Sequence, residues 1–262
     1  MYRSMLYVPA HSERFLAKAH ERGADAIILD LEDSVPEVDK EGARALLPAS
    51  VRRAGQAGAA ILVRINSGPR AVDDAKAAVA AGTTAIVVAK ADPLVLAALA
   101  FLGVPLVGLL EDPAAILDAR LCATLPGVMG LMVGGEDLAL ALGATPDPEV
   151  LRTPKLLVHY AAKAEGKFSF GMLRSIADYS DIEALKTAAI EAHAHGFDGS
   201  SCVHPAVVPI LNAAFTPSAD EIAWANSIVE VASTTSGAFA LNGRMVDRPV
   251  VDRAQAILRQ AR

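Results

Sequence analysis

The sequence predicts an α/β fold, a single (β/α)8 TIM barrel with a helical C-terminal extension. Three observations predict it. Short apolar runs alternate with longer amphipathic ones until the last part of the chain. The runs number eight. Charged and polar residues gather where the runs end, and small or apolar residues stand where they begin. Near-continuous apolar strands between helices read as a parallel sheet covered on both faces, and eight in one domain close into a barrel. The rival is an open doubly wound sheet, and the count of eight argues against it. A chain of 262 residues is a normal size for one barrel.

Taken in order, residues 4–10 (SMLYVPA) form the first strand and 12–22 a helix. Residues 24–32 (ADAIILDLE) form a second strand, richly apolar and ending in acids, before a helix over 37–54. The third strand is 60–66 (AILVRIN), the fourth 85–90 (AIVVAK), the fifth 105–111 (PLVGLLE) and the sixth 128–135 (VMGLMVGG). A weaker seventh covers 169–174 (SFGMLR), the eighth is 199–205 (GSSCVHP), and helical stretches fill every gap. The barrel is therefore assigned to 1–216 and the extension to 217–262. In the extension, Ser218 with Glu221 three residues on marks a helix start. A polar, glycine-bearing linker, STTSGAFALNGRMVDRP, follows, and VVDRAQAILRQAR is a last helix. This is more chain than a barrel needs, and it is expected to cover the barrel end or pack on a neighbouring subunit.

Composition narrows the function. A formal net charge of −6 and the lack of any basic run give no electrostatic footprint for nucleic acid or anionic lipid. Aromatic residues make up only 5%, which disfavours a base-stacking platform. Cys122 and Cys202 form no C-x-x-C pair and read as buried, reduced thiols. The N-terminal segment MYRSMLYVPAHSERF lacks a long apolar core of the signal-peptide kind. No apolar stretch reaches the roughly 18 residues that span a bilayer. The expectation is a soluble, cytoplasmic protein.

Functional groups of such barrels gather at the C-terminal ends of the strands. There stand Asp30, Glu32 and Asp33 after strand two, Arg64 and Asn66 after three, and Lys90 after four. Glu111 and Asp112 follow strand five; Gly134, Gly135, Glu136 and Asp137 follow six; His204 follows eight. Carboxylates from successive strands beside an arginine suit a hard divalent cation and an anionic ligand. Mg²⁺ uses one or two carboxylates and leaves positions for substrate oxygens and water. Glu111 and Asp137 are the predicted ligands, with capping of the next helix as the ordinary alternative. Asp112, just before Pro113, fits capping better. Arg64 sits inside an apolar strand and needs a partner: either a rim carboxylate or a substrate carboxylate gripped bidentately, and the second is favoured. Lys90 serves equally well in a substrate contact or a structural ion pair. His204 is a candidate acid or base, although a histidine before proline at a strand end is more often a structural hydrogen-bonding residue. His193 and His195 read as solvated. No Ser–His–Asp elbow, P-loop or G-x-G-x-x-G fingerprint is present.

The segments RSMLYVPA, DAIILDLEDSVPEVDKEGAR, LVRIN, LMVGGEDLALALG, GFDGSSCVHP and GRMVDRP together resemble the citrate lyase β-subunit-like proteins of the HpcH/HpaI aldolase and citrate lyase superfamily. The resemblance runs from Arg3 to about Asp252. It implies a barrel and a Mg²⁺-dependent lyase acting on acyl-CoA or citryl-type thioesters. It implies Glu111 and Asp137 as metal ligands and Arg64 as the holder of the substrate carboxylate or keto acid. Lys18, in FLAKA, matches a position near the CoA moiety. Asp247, in GRMVD, matches an acid that relatives supply to a neighbouring subunit's active site, in homo-oligomers that are commonly trimers or multiples of trimers. The tail that carries Asp247 brings the chain nearer to the malyl-, citramalyl- and hydroxymethylglutaryl-CoA lyases than to truncated citrate lyase chains. The chain departs from the family in three places. VVAKAD stands where a proline usually precedes the lysine, and LLEDP where a threonine usually follows the glutamate. The segment from Arg152 to Asp181, with KFSFGMLRSIADYSD at strand seven, is atypical.

The expected activity is therefore Mg²⁺-dependent carbon–carbon cleavage or formation on a 3-hydroxyacyl-CoA-type thioester, giving a 2-oxo acid or acetoacetate-type fragment and an acyl thioester. Two alternatives stand beside it. One is a class II pyruvate aldolase on free hydroxy-keto acids. The other is an idle subunit of a citrate lyase-like complex.

Overall fold

In a computed structural model of the chain, residues 1–177, 179–235 and 237–261 are described. Asp178, Ser236 and Arg262 fall in the atypical loop, the linker and the last helix of the sequence reading, and lie outside the described residues. The chain divides into two compact units, Met1–Asn212 and Ala213–Arg262.

The first unit is the barrel. Its strands are β1 (Ser4–Pro9), β2 (Ala26–Asp30), β3 (Ala60–Ile65), β4 (Ala85–Val88), β5 (Leu106–Leu110), β6 (Val128–Val133), β7 (Phe168–Phe170) and β8 (Ser200–Cys202). All pair in parallel in the order β7-β6-β5-β4-β3-β2-β1-β8. A single parallel bridge between Phe170 and Gly199 joins the two edge strands and closes the ring. The intervening helices are α1 (Glu13–Ala19), α2 (Lys40–Ala54), α3 (Ala71–Ala81), α4 (Pro93–Leu99), α5 (Pro113–Leu117), α6 (Ala119–Thr124), α7 (Gly135–Leu142), α8 (Pro148–Ala164) and α9 (Ile182–His195), with α10 (Val208–Ala214) after β8. Among the described residues no helix is long and apolar enough to cross a membrane.

Alternation along the strands decides what points inward. Met5, Ala26, Ile28, Leu62, Val87, Val107, Leu109, Met132 and Phe170 fill the barrel interior. Each large aliphatic side chain taken out of water contributes roughly 1.5–3 kcal/mol. Two residues further along, the same phase brings Tyr7, Asp30, Arg64 and Glu111 to the mouth. The interior stripe and the functional rim are one pattern read at two depths.

The last two strands are shorter than the sequence predicts. β7 stops at Phe170 because Gly171 has φ +146°, outside the strand region, and residues 171–177 run without regular structure. β8 ends at Cys202, ahead of the 3-10 turn Pro205–Val207.

In the second unit, α11 (Ala219–Thr234) begins with the expected capping box of Ser218 and Glu221. The expected linker instead contains a hairpin of β9 (Phe239–Leu241) and β10 (Arg244–Val246). Asn242 and Gly243 turn it with φ +50° and +74°, and an Asn-Gly pair is the residue choice for such a tight turn. α12 (Arg248–Gln260) follows. Ala225, Ile228, Val246 and Ala254 make this unit's core, and Arg253 stacks on Trp224 at 4.6 Å.

Candidate active site and metal centre

At the C-terminal ends of the strands lies a cavity of about 420 Å³. Tyr7, Asp30, Arg64, Glu111 and Asp137 line one arc of it, from β1 through β5 to the start of α7. Met132, Phe170, Met172, Ile176 and Val203 line the other, from β6 to β8.

Arg64 is 9% exposed and is tied to the carboxylates after β2. Its Nε and Nη2 donate to Asp30 Oδ1 and Oδ2 at 2.6 and 2.7 Å, and its Nη1 donates to Asp33 Oδ2 at 3.0 Å. Nη1 also stands 2.9 Å from Glu32 Oε2, but without hydrogen-bond geometry, so that buried oxygen has a charge contact and no donor. The guanidinium lies over the Tyr7 ring at 4.9 Å. Burial pushes the Asp30 carboxyl up, yet the Arg64 hydrogen bonds and charge outweigh it and hold the group below its ordinary value. Of the sequence alternatives for Arg64, rim-carboxylate pairing is what this structure contains. A guanidinium has five N–H donors, so two are left for a ligand.

Glu111 is 5% exposed. Its Oε2 accepts the backbone N–H of Lys90 at 2.8 Å, a bond set by the left-handed conformation of Lys90, φ +49°. A Cβ on Gly134 would lie 2.6 Å from Cγ and Oε1 of Glu111, so glycine is required there. Burial, with the charges of Glu32 and Asp137, pushes the Glu111 carboxyl up to about 7 against the opposing Lys90 N–H. Glu32 rises to about 7 mainly by burial, partly offset by Arg64. The crowded Glu111 carboxylate, pushed toward neutrality and hydrogen-bonded to a backbone N–H, is short of a cation. Among the described residues no group of three or more histidine, cysteine or acidic side chains is arranged to hold a metal. Two carboxylates with open positions still suit Mg²⁺, which keeps several waters. Glu111 and Asp137 fit it, and Glu32 is close enough to act on the charge of Glu111.

The remaining candidates separate. Asp112 caps α5 through Ala114 and Ala115 N–H. Asn66 is engaged with Asp74 and Lys40. Lys90 Nζ stands 3.6 Å from Glu32 Oε1. His204 Nδ1 accepts the Ala206 N–H at 3.2 Å and the ring stacks on Tyr179, a structural role. Lys18 is exposed on α1 and does not line the cavity. Asp247 precedes α12 in the second unit, and its carboxylate does not cap that helix. Cys122 and Cys202 are buried free thiols.

The family model for HpcH/HpaI aldolase/citrate lyase matches residues 3–94 and 100–205. The chain belongs to this family. A citrate lyase subunit beta-like protein of Mycobacterium tuberculosis is 33% identical over 270 residues, 98% of this chain and 94% of that protein. A (3S)-malyl-CoA thioesterase of Cereibacter sphaeroides is 33% identical over 274 residues, 99% of this chain and 94% of that protein. The crystal structure of the protein CitE from M. tuberculosis in complex with magnesium, acetoacetate and coenzyme A matches with a TM-score of 0.84 at 32% identity, covering 98% of this chain and 97% of that one.

Tyr7 and Lys155, both in this family member's cavity, escaped the sequence reading. Tyr7 shares the inward phase of Met5 on β1 and is partly buried against the barrel interior. Lys155 falls on the buried stripe of α8 with Leu151, Val158, His159 and Ala162. Its ammonium donates to Met172 O at 2.9 Å and Arg174 O at 2.6 Å, and burial lowers it to about 8. The signal was a lysine at an apolar helix position, which demands buried acceptors.

Proposed function

We propose that this chain is a Mg²⁺-dependent carbon–carbon lyase on 3-hydroxyacyl-CoA-type thioesters, releasing a 2-oxo acid or acetoacetate-type fragment and an acyl thioester. The observation that supports it is the crowded Glu111 carboxylate, short of a cation, beside Asp137 and within one cavity with Arg64. Glu111 and Asp137 hold the metal, as fits a family whose CitE structure was crystallised with magnesium. Bound there, Mg²⁺ supplies Lewis-acid polarisation and a template for the keto-acid oxygens.

The chain's own groups do the rest. Asp30 and Asp33 fix the guanidinium of Arg64, whose two spare N–H groups grip the carboxylate or keto oxygen of the fragment. Such preorganised donors stabilise charge as it develops. In cleavage, the C3 hydroxyl gives its proton to water, the C2–C3 bond breaks, and its electron pair passes into the thioester enolate. Asp247, supplied by a neighbouring copy in a trimer or hexamer, returns a proton to C2. Lys18 lies toward the CoA moiety. The protein acts in the cytoplasm on small molecules, without nucleic acid or membrane.

Magnesium-loaded protein assayed with malyl-, citramalyl- and hydroxymethylglutaryl-CoA tests this. Lyase action yields the keto fragment plus acetyl-CoA and no free thiol. The 33%-identical (3S)-malyl-CoA thioesterase gives weight to hydrolysis as a second reading, which yields CoA thiol and the free hydroxy acid. Cleavage of free hydroxy-keto acids with no thermal shift from CoA identifies an aldolase. No turnover of any of these, with co-purifying partners, identifies an idle subunit.

A further inference from the structure

The cavity's two arcs differ in what they can recognise. Its charged lining consists of five carboxylates (Asp30, Asp33, Glu111, Glu136 and Asp137) against two cations, Arg64 and Lys155. Neither cation is free for a second carboxylate, because the two N–H groups that Arg64 keeps are the ones that grip the oxo acid's first carboxylate or keto oxygen. Arg64 is tied to Asp30 and Asp33, and Lys155 is held by the carbonyls of Met172 and Arg174. A divalent ion on Glu111 and Asp137 offsets part of the excess and serves one substrate carboxylate. A second carboxylate would meet acidic side chains with no further cation in the lining.

The other arc is mainly aliphatic and aromatic, with Met132, Phe170, Met172, Ile176 and Val203 beside the hydroxyls of Ser175 and Ser201. Lys155 holds the backbone of the segment carrying Met172, so this wall is built and not a loose loop. About 420 Å³ falls in the range of pockets that enclose drug-sized ligands, well beyond a two- or three-carbon oxo acid.

We infer that the substrate is a monocarboxylate carrying an aliphatic group larger than methyl, seated on the β6–β8 arc, and that dicarboxylic oxo acids are disfavoured. This rests on the lyase reading and narrows its substrate class. The group belongs either to the oxo acid or to the acyl thioester, since both fragments share the cavity.

The experiment runs the reaction in the bond-forming direction. The acyl α-carbon loses a proton and bonds to the keto carbon, whose oxygen takes up a proton, giving a 3-hydroxyacyl-CoA followed by mass spectrometry. One arm pairs acetyl-CoA with glyoxylate, pyruvate, 2-oxobutanoate, 3-methyl-2-oxobutanoate and oxaloacetate. The other pairs pyruvate with acetyl-, propionyl- and butyryl-CoA. In one arm kcat/KM rises by about fourfold per added methylene, the value of one buried methylene at room temperature, and oxaloacetate runs at least roughly tenfold below pyruvate. Val203→Arg, at a half-exposed position of the apolar arc, erases the aliphatic preference and raises oxaloacetate relative to pyruvate. A fall in kcat/KM with size in both arms, or oxaloacetate as the best oxo acid, overturns the inference and leaves the lyase reading standing. Calorimetric binding of the same oxo acids and thioesters to magnesium-loaded protein separates the two failures. If turnover is absent throughout, the lyase reading falls, and the affinity order alone upholds or sinks the inference.

Discussion

The barrel mouth has two unlike halves. From β1 to β5 the strands run four to six residues and keep strict alternation, and their ends carry ionic side chains locked to one another. β7 and β8 have three residues each, closure rests on one bridge, and the adjoining segment is irregular and apolar. The regular half is electrostatically crowded: an arginine with three carboxylates around it, and a glutamate pushed toward neutrality. The irregular half is held by a buried lysine gripping two carbonyls. Long strands position charge accurately because every residue is fixed by two neighbours. Short strands leave the chain free to shape a wall.

The comparison breaks first at Arg64. Arg64→Met leaves Asp30 and Glu32 buried without their cation, and is expected to lower folding stability by about 3–5 kcal/mol in urea titrations. A loss below about 1 kcal/mol would place the stability of the regular half in its apolar interior alone. Glu111→Gln is the second test. It is expected to weaken Mg²⁺ binding by roughly 100-fold or more in calorimetry, while the metal-free protein keeps its melting temperature, because the substitution removes a carboxylate that the fold already disfavours.

The pH dependence sharpens the same contrast. Glu32 and Glu111 are held at about 7, above their unfolded values. Their contribution to stability is complete below the unfolded value of about 4.3, and is lost as pH rises through 7. Asp30 runs the opposite way, its contribution lost only as pH falls through its depressed value, outside that window. Metal-free protein should therefore lose stability between pH 5 and pH 8, measured by denaturant midpoints. Mg²⁺ affinity should rise about tenfold from pH 6 to pH 8 as Glu111 gives up its proton. A flat affinity profile would exclude Glu111 as a ligand.

The smallest effect is expected in the irregular half. Lys155→Met strips Met172 and Arg174 carbonyls of their donor but also removes a buried ammonium. The net change is about 1 kcal/mol, with faster proteolysis within 171–177 as the local readout. An effect as large as that at Arg64 would show that Lys155 holds more than the wall.

Legibility follows the same division. The strands from β1 to β6 and their terminal acids were readable, because an apolar run ending in charge has one placement in a parallel barrel. Asp112 and the Ser218–Glu221 box were readable because capping is local. The Asn-Gly hairpin was local too, yet it was read as linker because its strands are only three residues long.

By itself, the sequence determined the barrel and the rim on which its carboxylates stand, since the alternation of apolar runs with amphipathic stretches, and the charges that end those runs, are written into the order of side chains. Tertiary structure alone decided that Arg64 is gripped by Asp30 and Asp33, that Gly134 makes room for Glu111, and that Lys155 reaches across to Met172. Those contacts join residues 17 to 34 positions apart. Their distance and burial, which set charge and donor satisfaction, exist only once the strands have closed around them.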